Sequence, residues 1–284
     1  MMNNIKRINI NKLLLTLIIF LFALTTITPL VWMISTSFKL EGNVFNYPIE
    51  WIPQEWNALN NYKEVLSGKY NFLLYYWNSI IVTFSVTVIQ LFVCSMGAYA
   101  FSKIKFKFRD ILFLIILAAM MIPPQLTLVP RFMIARWLNL YDTLFALIIM
   151  KVFSPYAVFL LRQYMITIPE SIMEAAKIDG ANYWSIFIKI ILPMSKPILS
   201  TLGILTFVWT WNSYLDPLVF IRSVEKYTIQ LGIRQFVESA GGVTTTFYSL
   251  QMAGAVLAIL PLFIIFILLQ RQVIEGITVG AVKG

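Results

Sequence analysis

The sequence predicts an all-α polytopic membrane protein with six transmembrane helices. Of its 284 residues, 59% are hydrophobic and only 12% are charged, and the mean hydropathy is +0.79. An average soluble domain is about 25% charged, so water is not the solvent for most of this chain. The apolar residues also gather into six runs separated by polar segments, the pattern of a chain that crosses a bilayer repeatedly.

Residues 1–12 are short and basic. The run 13–34 is long enough to span, longer than the ~7–15-residue apolar core of a signal peptide, and no small-x-small cleavage site precedes Phe38, so an uncleaved first helix is expected. Residues 39–77 are aromatic-rich but too hydrophilic to span, and read as an outer loop. The second span covers 79–101, and Lys103, Lys105, Lys107 and Arg109 beside its end form a cluster expected in the cytoplasm. The third span, from about 111, contains Pro123, Pro124 and Pro130, which remove backbone donors and predict a kinked or unwound outer half.

A fourth span, 141–161, carries Lys151 near its middle, four residues before Pro155. Such a lysine either snorkels, is neutralised by packing, or faces a cavity. Residues 164–197 read as a cytoplasmic loop, and the fifth span covers 198–220. Its outer half holds Trp209, Trp211, Asn212, Tyr214 and Asp216, which could form an interfacial belt or a solute path in which rings stack on sugar C–H faces and Asn or Asp meets hydroxyls. An outer loop, 222–247, contains Gly241-Gly242 and Thr244 to Thr246. The sixth span begins at 248, with Gly254 and Ala258 at a spacing that suits close helix contact. The membrane domain thus runs from 13 to 270, leaving a tail, 271–284. Thirteen basic residues fall on the proposed inner segments and eight on the outer ones, which favours both termini inside.

The most informative stretch lies within the loop 164–197. Thr167 stands three residues before Glu170, as in a capping box; Ile172, Met173 and Ala176 form an apolar stripe; and Gly180 is placed to end that helix. A second short helix is expected from the spacing of Tyr183, Ile186, Phe187, Ile190 and Ile191, with Leu192-Pro193 ending or bending it. By pattern alone, such a knob could rest on lipid headgroups or dock on another protein.

Letter by letter, Glu174-Ala175-Ala176, Asp179-Gly180-Ala181, Ile191-Leu192-Pro193 and Pro197 closely resemble the EAA loop of membrane permeases in bacterial ABC importers. Phe38-Lys39, Trp51-Ile52-Pro53, Asn61-Tyr62, Asn78-Ser79 and the tail from Gln270-Arg271 to Gly284 resemble the same family, specifically its carbohydrate-uptake type. The resemblance implies the type I importer permease fold and a multi-pass subunit of a bacterial cytoplasmic membrane that forms half of a sugar or oligosaccharide path. It implies as partners a second, homologous permease, two copies of a cytoplasmic ABC ATPase, an extracellular solute-binding protein and the membrane lipids. ATP and Mg would sit on the ATPase, with no cofactor on this chain. Glu174, Ala175, Ala176, Asp179, Gly180, Ala181, Leu192 and Pro193 would then carry the coupling to the ATPase, and Gly280, Lys283 and Gly284 would reach toward it. Lys151, Trp209, Trp211, Asn212 and Tyr214 are the candidate solute-path residues.

Other classes fit less well. The net charge of +9 could suit nucleic acid, but the cations are scattered through short loops. An ion-coupled secondary carrier calls for intramembrane carboxylates or inverted repeats, and Asp216 is expected near a span end. A membrane enzyme, or a metal site, would have to do without histidine, and no nucleophile constellation is visible. Cys94, the lone cysteine, is expected to pack in an apolar run. A permease for a glycerol-phosphate type of solute remains an alternative to a sugar permease.

Overall fold

The computed structural model describes residues 10–68, 70–234 and 247–281, without the side chains of 10, 11, 13 and 270–281. Every regular element among the described residues is helical. The chain divides into two compact units, one formed by residues up to Tyr70 with those from 247 to Ile259, the other by Asn71–Arg234 with those from Leu260 onward.

In the first unit, α1 (Ile10–Ser37) and α2 (Ala58–Leu66) precede the start of the long C-terminal helix. The face of α1 from Leu14 to Val31 is open to its surroundings, with Phe22 69% exposed, as expected of a helix that meets lipid or another protein rather than its own chain. Its polar end is buried instead. The Asn61 amide donates to the carbonyls of Ser37 and Lys39, both at 2.9 Å, which satisfies acceptors that a helix C-terminus leaves over. The Tyr62 hydroxyl meets Ser37 Oγ at 3.0 Å and Phe38 stacks on Trp56. Burial pushes the Tyr62 phenol up, against the opposing effect of the Ser37 bond, so it serves here as a neutral hydroxyl. Phe38-Lys39 and Asn61-Tyr62, quoted above as family tokens, therefore form one structural joint.

The second unit is built on α3 (Phe72–Lys103), whose 32 residues would extend about 48 Å at 1.5 Å per residue. After it come α4 (Arg109–Ala119), α5 (Leu128–Trp137), α6 (Leu144–Ile149) and α7 (Pro155–Ile166). The loop then carries α8 (Glu170–Ile178), α9 (Tyr183–Ile186), a π-helical turn (Phe187–Ile191) and α10 (Leu192–Met194). Next are α11 (Lys196–Trp211), α12 (Leu215–Phe220) and α13, which begins at residue 229. Finally α14 (Tyr248–Ala281) starts in the first unit and ends in the second. Helices α6, α7 and α11 pack against α3.

Among the described residues, Leu14–Ser37, Phe72–Lys103 and Tyr248–Leu269 are continuous helices long and apolar enough to cross a membrane. The third, fourth and fifth hydrophobic stretches are not continuous. Each is two short helices joined by a break, and the break after α4 falls at Pro123-Pro124, where the missing donors placed it. Tyr183–Met194 and Lys196–Trp211 meet at 76°, so the bend lies at Ser195 rather than at Leu192-Pro193.

Freed backbone groups at such breaks must find partners inside the protein. On α3, Gln90 and Cys94 stand one turn apart and supply them for the α6–α7 break. The Gln90 amide donates to the Lys151 carbonyl at 2.6 Å and accepts from Thr206 Oγ1 at 2.8 Å. Cys94 Sγ faces the Ser154 carbonyl at 3.7 Å and accepts from the Ser154 amide at 3.4 Å. Cys94 is thus a fully buried packing residue that also serves the break.

Candidate functional site

The loop between α7 and α11 grows directly out of the core. Met173 and Ala176 of α8 and Ile186, Phe187 and Ile191 after it are buried with Cys94, Ala98 and Tyr99 of α3 and Val158, Leu161 and Met165 of α7. Lys103, at the end of α3, donates to the carbonyls of Ile166 and Ile168 and so pins the joint where the loop leaves α7. A displacement of α8 cannot occur without moving the side chains that anchor it, because packed cores transmit shifts rather than absorb them.

The turn after α8 is closed by two backbone bonds, Ala181 N to Ala176 O at 2.9 Å and Gly180 N to Lys177 O at 3.0 Å. These define a Schellman motif, with Gly180 in the left-handed conformation at φ +81°. No atom lies within 4 Å of a Cβ built on Gly180, so the requirement for glycine is conformational and not steric. Asn182 then caps α9 by accepting from the Ser185 amide at 2.8 Å.

Several expectations for this loop need correction. Thr167 does not cap α8. Its hydroxyl donates to Tyr164 O at the end of α7, and Pro169 occupies the N-cap position without a side-chain bond. Ala176 faces the chain's own core with Met173, as the apolar stripe predicts, leaving Glu174, Ala175 and Asp179 on the free face with Ile178, which is 86% exposed. Tyr183 is not part of the buried stripe; its carbonyl accepts from Tyr99 and its ring lies under Lys177. Ala181 and Leu192 are half-buried, while Pro193 is exposed. Gly280 continues the helical backbone of α14, so the tail is helical as far as Ala281, and Lys283 and Gly284 lie outside the described residues, as do Gly241-Gly242 and Thr244 to Thr246.

A second constellation stands where α5, the α6–α7 break and α12 meet. Asp216 accepts from Lys151 Nζ at 2.9 Å on one carboxylate oxygen and from Arg131 Nη2 at 3.1 Å on the other. Ser213 closes the group, accepting from Lys151 at 2.9 Å and donating to Asp216 at 3.2 Å. Lys151 is therefore ion-paired, and Asp216, which the sequence seemed to leave near a span end, is its counter-charge. The signal that pointed to this pair was Lys151 itself, since a mid-span cation needs an anion or a wet cavity. Arg131, one of the eight basic residues assigned by the sequence to outer segments, gave no such signal.

The aromatic candidates separate. Trp211 is 1% exposed, stacked on Phe207 at 5.9 Å and edge-on to Tyr76. It is a core residue of this chain. Trp209 is 56% exposed beside Tyr156. Asn212 and Tyr214 line a cleft of about 350 Å³ together with Pro124, Gln125, Arg131 and Asp216. Gln230 donates to Asn212 Oδ1 at 3.2 Å, and Arg234 donates to the Tyr214 hydroxyl at 2.6 Å.

Asp142 organises the segment after α12. In a left-handed turn at φ 61°, it accepts from the amides of Arg222 and Ser223 at 2.9 Å each, from the Ser223 hydroxyl, and from Lys226 at 3.3 Å. Asn78 and Ser79 hold the continuation, the first donating to the carbonyls of Glu225 and Tyr227 and the second accepting from the Ile229 amide at 2.7 Å. Asp142→Asn keeps the turn, because Asn tolerates this φ, but removes the charge. Amide exchange at Arg222 and Ser223 is expected to quicken by about tenfold or more, the cost of weakening hydrogen bonds to a charged acceptor; unchanged protection by mass spectrometry would show that the latch does not hold this segment.

A helical membrane protein with broken spans and a rigidly rooted polar loop has the architecture of a solute permease. Residues 93–279 match the family described as binding-protein-dependent transport system inner membrane component, and the chain belongs to that family. It is 34% identical to the probable ABC transporter permease protein YurM of Bacillus subtilis, over 94% of this chain and 87% of that one. It is 30% identical to the arabinooligosaccharides transport system permease protein AraQ of the same organism, over the full length of both. It is also 31% identical to the sn-glycerol-3-phosphate transport system permease protein UgpE of Yersinia enterocolitica, over 84% and 85%. Among solved structures, a bacterial ABC transporter involved in the import of the acidic polysaccharide alginate superposes with a TM-score of 0.85 at 27% identity, covering 95% of this chain and 99% of that chain.

Proposed function

We propose that this chain is one permease of a heteromeric, ATP-driven importer in a bacterial cytoplasmic membrane, and that it forms half of the path for a saccharide. The relatives named for arabinooligosaccharides, galactooligosaccharides and alginate support that solute class. The sn-glycerol-3-phosphate relative supports a phosphorylated polyol as the second candidate. In this reading the partners are a second permease, two copies of a cytoplasmic ABC ATPase carrying ATP and Mg, and an extracellular solute-binding protein. Both termini and the loop 164–197 lie in the cytoplasm, and the tail with Gly280, Lys283 and Gly284 lies toward the ATPase.

The observation that carries the reading is the two-faced α8. Met173 and Ala176 fix it to the span core, while Glu174, Ala175, Ile178 and Asp179 present an apolar tip ringed by charge. Such a face suits a cleft with basic or backbone donors for the carboxylates and an apolar floor for Ile178. Force applied there would reach α3 and α7 without a hinge between.

The test is Glu174→Lys, and separately Gly180→Asp, in the importer reconstituted with its partners in proteoliposomes. The first reverses the charge of the docking face; the second adds a carboxylate beside that face at φ +81°, a conformation that Asp adopts with less strain than most residues, so its effect comes mainly from the added charge and bulk. Each is expected to remove most solute-stimulated ATP hydrolysis and uptake. Wild-type values in both assays would rule out coupling through this loop.

A further inference from the structure

Among the described residues, the Lys151–Asp216–Arg131 group holds two cations against one carboxylate. The excess positive charge sits beside the α6–α7 break, where the Lys151, Arg131 and Asp216 side chains are only 20%, 23% and 16% exposed, so solvent screens it poorly. Arg131 is also incompletely used. One of its Nη atoms holds Asp216, while Nε is buried with no acceptor. A buried guanidinium N–H without a partner is costly, and the other N–H groups of the Arg131 guanidinium can meet a carboxylate or phosphate oxygen beside Asp216.

The same arginine lines the cleft described above. Around it stand Gln125, Asn212 and Tyr214, groups able to bond hydroxyls or offer a ring face, and Arg234 lies at the Tyr214 hydroxyl. The cleft thus joins the Arg131–Asp216 pair, whose carboxylate is shared with Lys151 behind it, to neutral polar groups of the kind that a saccharide ring satisfies. A neutral sugar would use the second set and leave the first unanswered.

Resting on the permease reading above, we propose that this cleft is an anion-selective subsite, in which Arg131 takes the carboxylate or phosphate of an acidic saccharide or polyol and Asp216, shared with Lys151, holds the guanidinium ready between solutes. Arg131 is then a specificity-determining residue, and Lys151 a positioning residue that acts through Asp216.

The test uses the assembled importer in nanodiscs and equilibrium dialysis with three probes: a galacturonate trisaccharide, a neutral glucose trisaccharide and glycerol 3-phosphate. At low salt, wild type is expected to bind the uronate roughly ten- to a hundredfold more tightly than the neutral sugar, the range of one charge-assisted contact, with the preference shrinking as salt is raised. Arg131→Gln should abolish the preference, so that uronate and neutral sugar bind within about twofold of each other, and Arg131→Lys should keep part of it. Preference for glycerol 3-phosphate in place of the uronate also supports the proposal and makes phosphate the anion. Equal binding of all three probes by wild type overturns it without recourse to a variant, as does a preference that survives in Arg131→Gln. Failure of every probe to bind, with Arg131→Gln separating the two permeases on size exclusion, assigns the cation to the subunit interface and overturns it too. None of these overturning results touches solute-stimulated ATP hydrolysis, on which the Glu174 and Gly180 test depends.

Discussion

Asp216→Asn is expected to be among the most destabilising single substitutions in the second unit. Asparagine has nearly the same shape and can still meet Ser213 and one cation, so the change isolates the charge. It leaves Lys151 Nζ and the Arg131 guanidinium, now 2.9 and 3.1 Å from a neutral group, without a counter-ion between them. Removing one partner from a buried ionic group costs about 3–5 kcal/mol, far more than the group contributes net over an apolar replacement, because an uncompensated charge stays behind. The measurement is the thermal midpoint of the purified protein in detergent. Lys151→Met in the same chain should recover much of the loss, since it removes one of the stranded cations and returns the site to a single pair's worth of missing charge. Independent, additive effects of the two changes would mean that the contact does not brace the breaks at all.

Gly232→Ala should be comparably severe for a different reason. A Cβ at this position would lie 2.1 Å from Tyr75 Cδ2 and 2.5 Å from Cγ. The ring cannot swing aside, since Tyr75 is 1% exposed and neighbours Tyr227. Inserting one methyl into a closed contact of this kind costs about 1–3 kcal/mol or more. The diagnostic is a reversal of sign in the midpoint. Tyr75→Leu should destabilise wild type, by opening a void, yet stabilise Gly232→Ala, by removing the ring that it strikes. If Tyr75→Leu lowers the midpoint equally in both backgrounds, the close approach of these two residues is not what limits the site.

The contrast between the two glycines shows what a sequence can convey. Gly180 was legible as a helix stop, because Asp-Gly after an apolar stripe has a local cause, a left-handed residue that closes a Schellman turn. Gly232 had no local signal. Its requirement comes from an aromatic ring more than 150 positions away in the chain, and only packing reveals it. The prolines of the third span likewise announced their break, since a missing N–H is a property of the residue itself. Gln90 carries no local signal for the break that it serves, which lies 61 positions away in the chain and meets it only through packing.

The candidate sites divide in the same way. The family's loop could be recognised by its letters, and its apolar stripe already set Met173 and Ala176 apart from Glu174 and Ala175. Which side chains that stripe meets was decided by the packing of α3 and α7. Among the fifth-span aromatics, composition alone left Trp211 and Trp209 equivalent. The tertiary structure put one in the core and left the other exposed.

The sequence by itself determined the solvent, the number of apolar stretches, the place of the polar loop and the family, because hydropathy, backbone-donor loss and short motifs are properties of neighbouring residues. The charge group was decided only in three dimensions. Arg131, Lys151 and Asp216 lie on separate pieces of three interrupted spans, and electrostatic energy depends on the distance between charges through space, which their spacing along the chain does not encode.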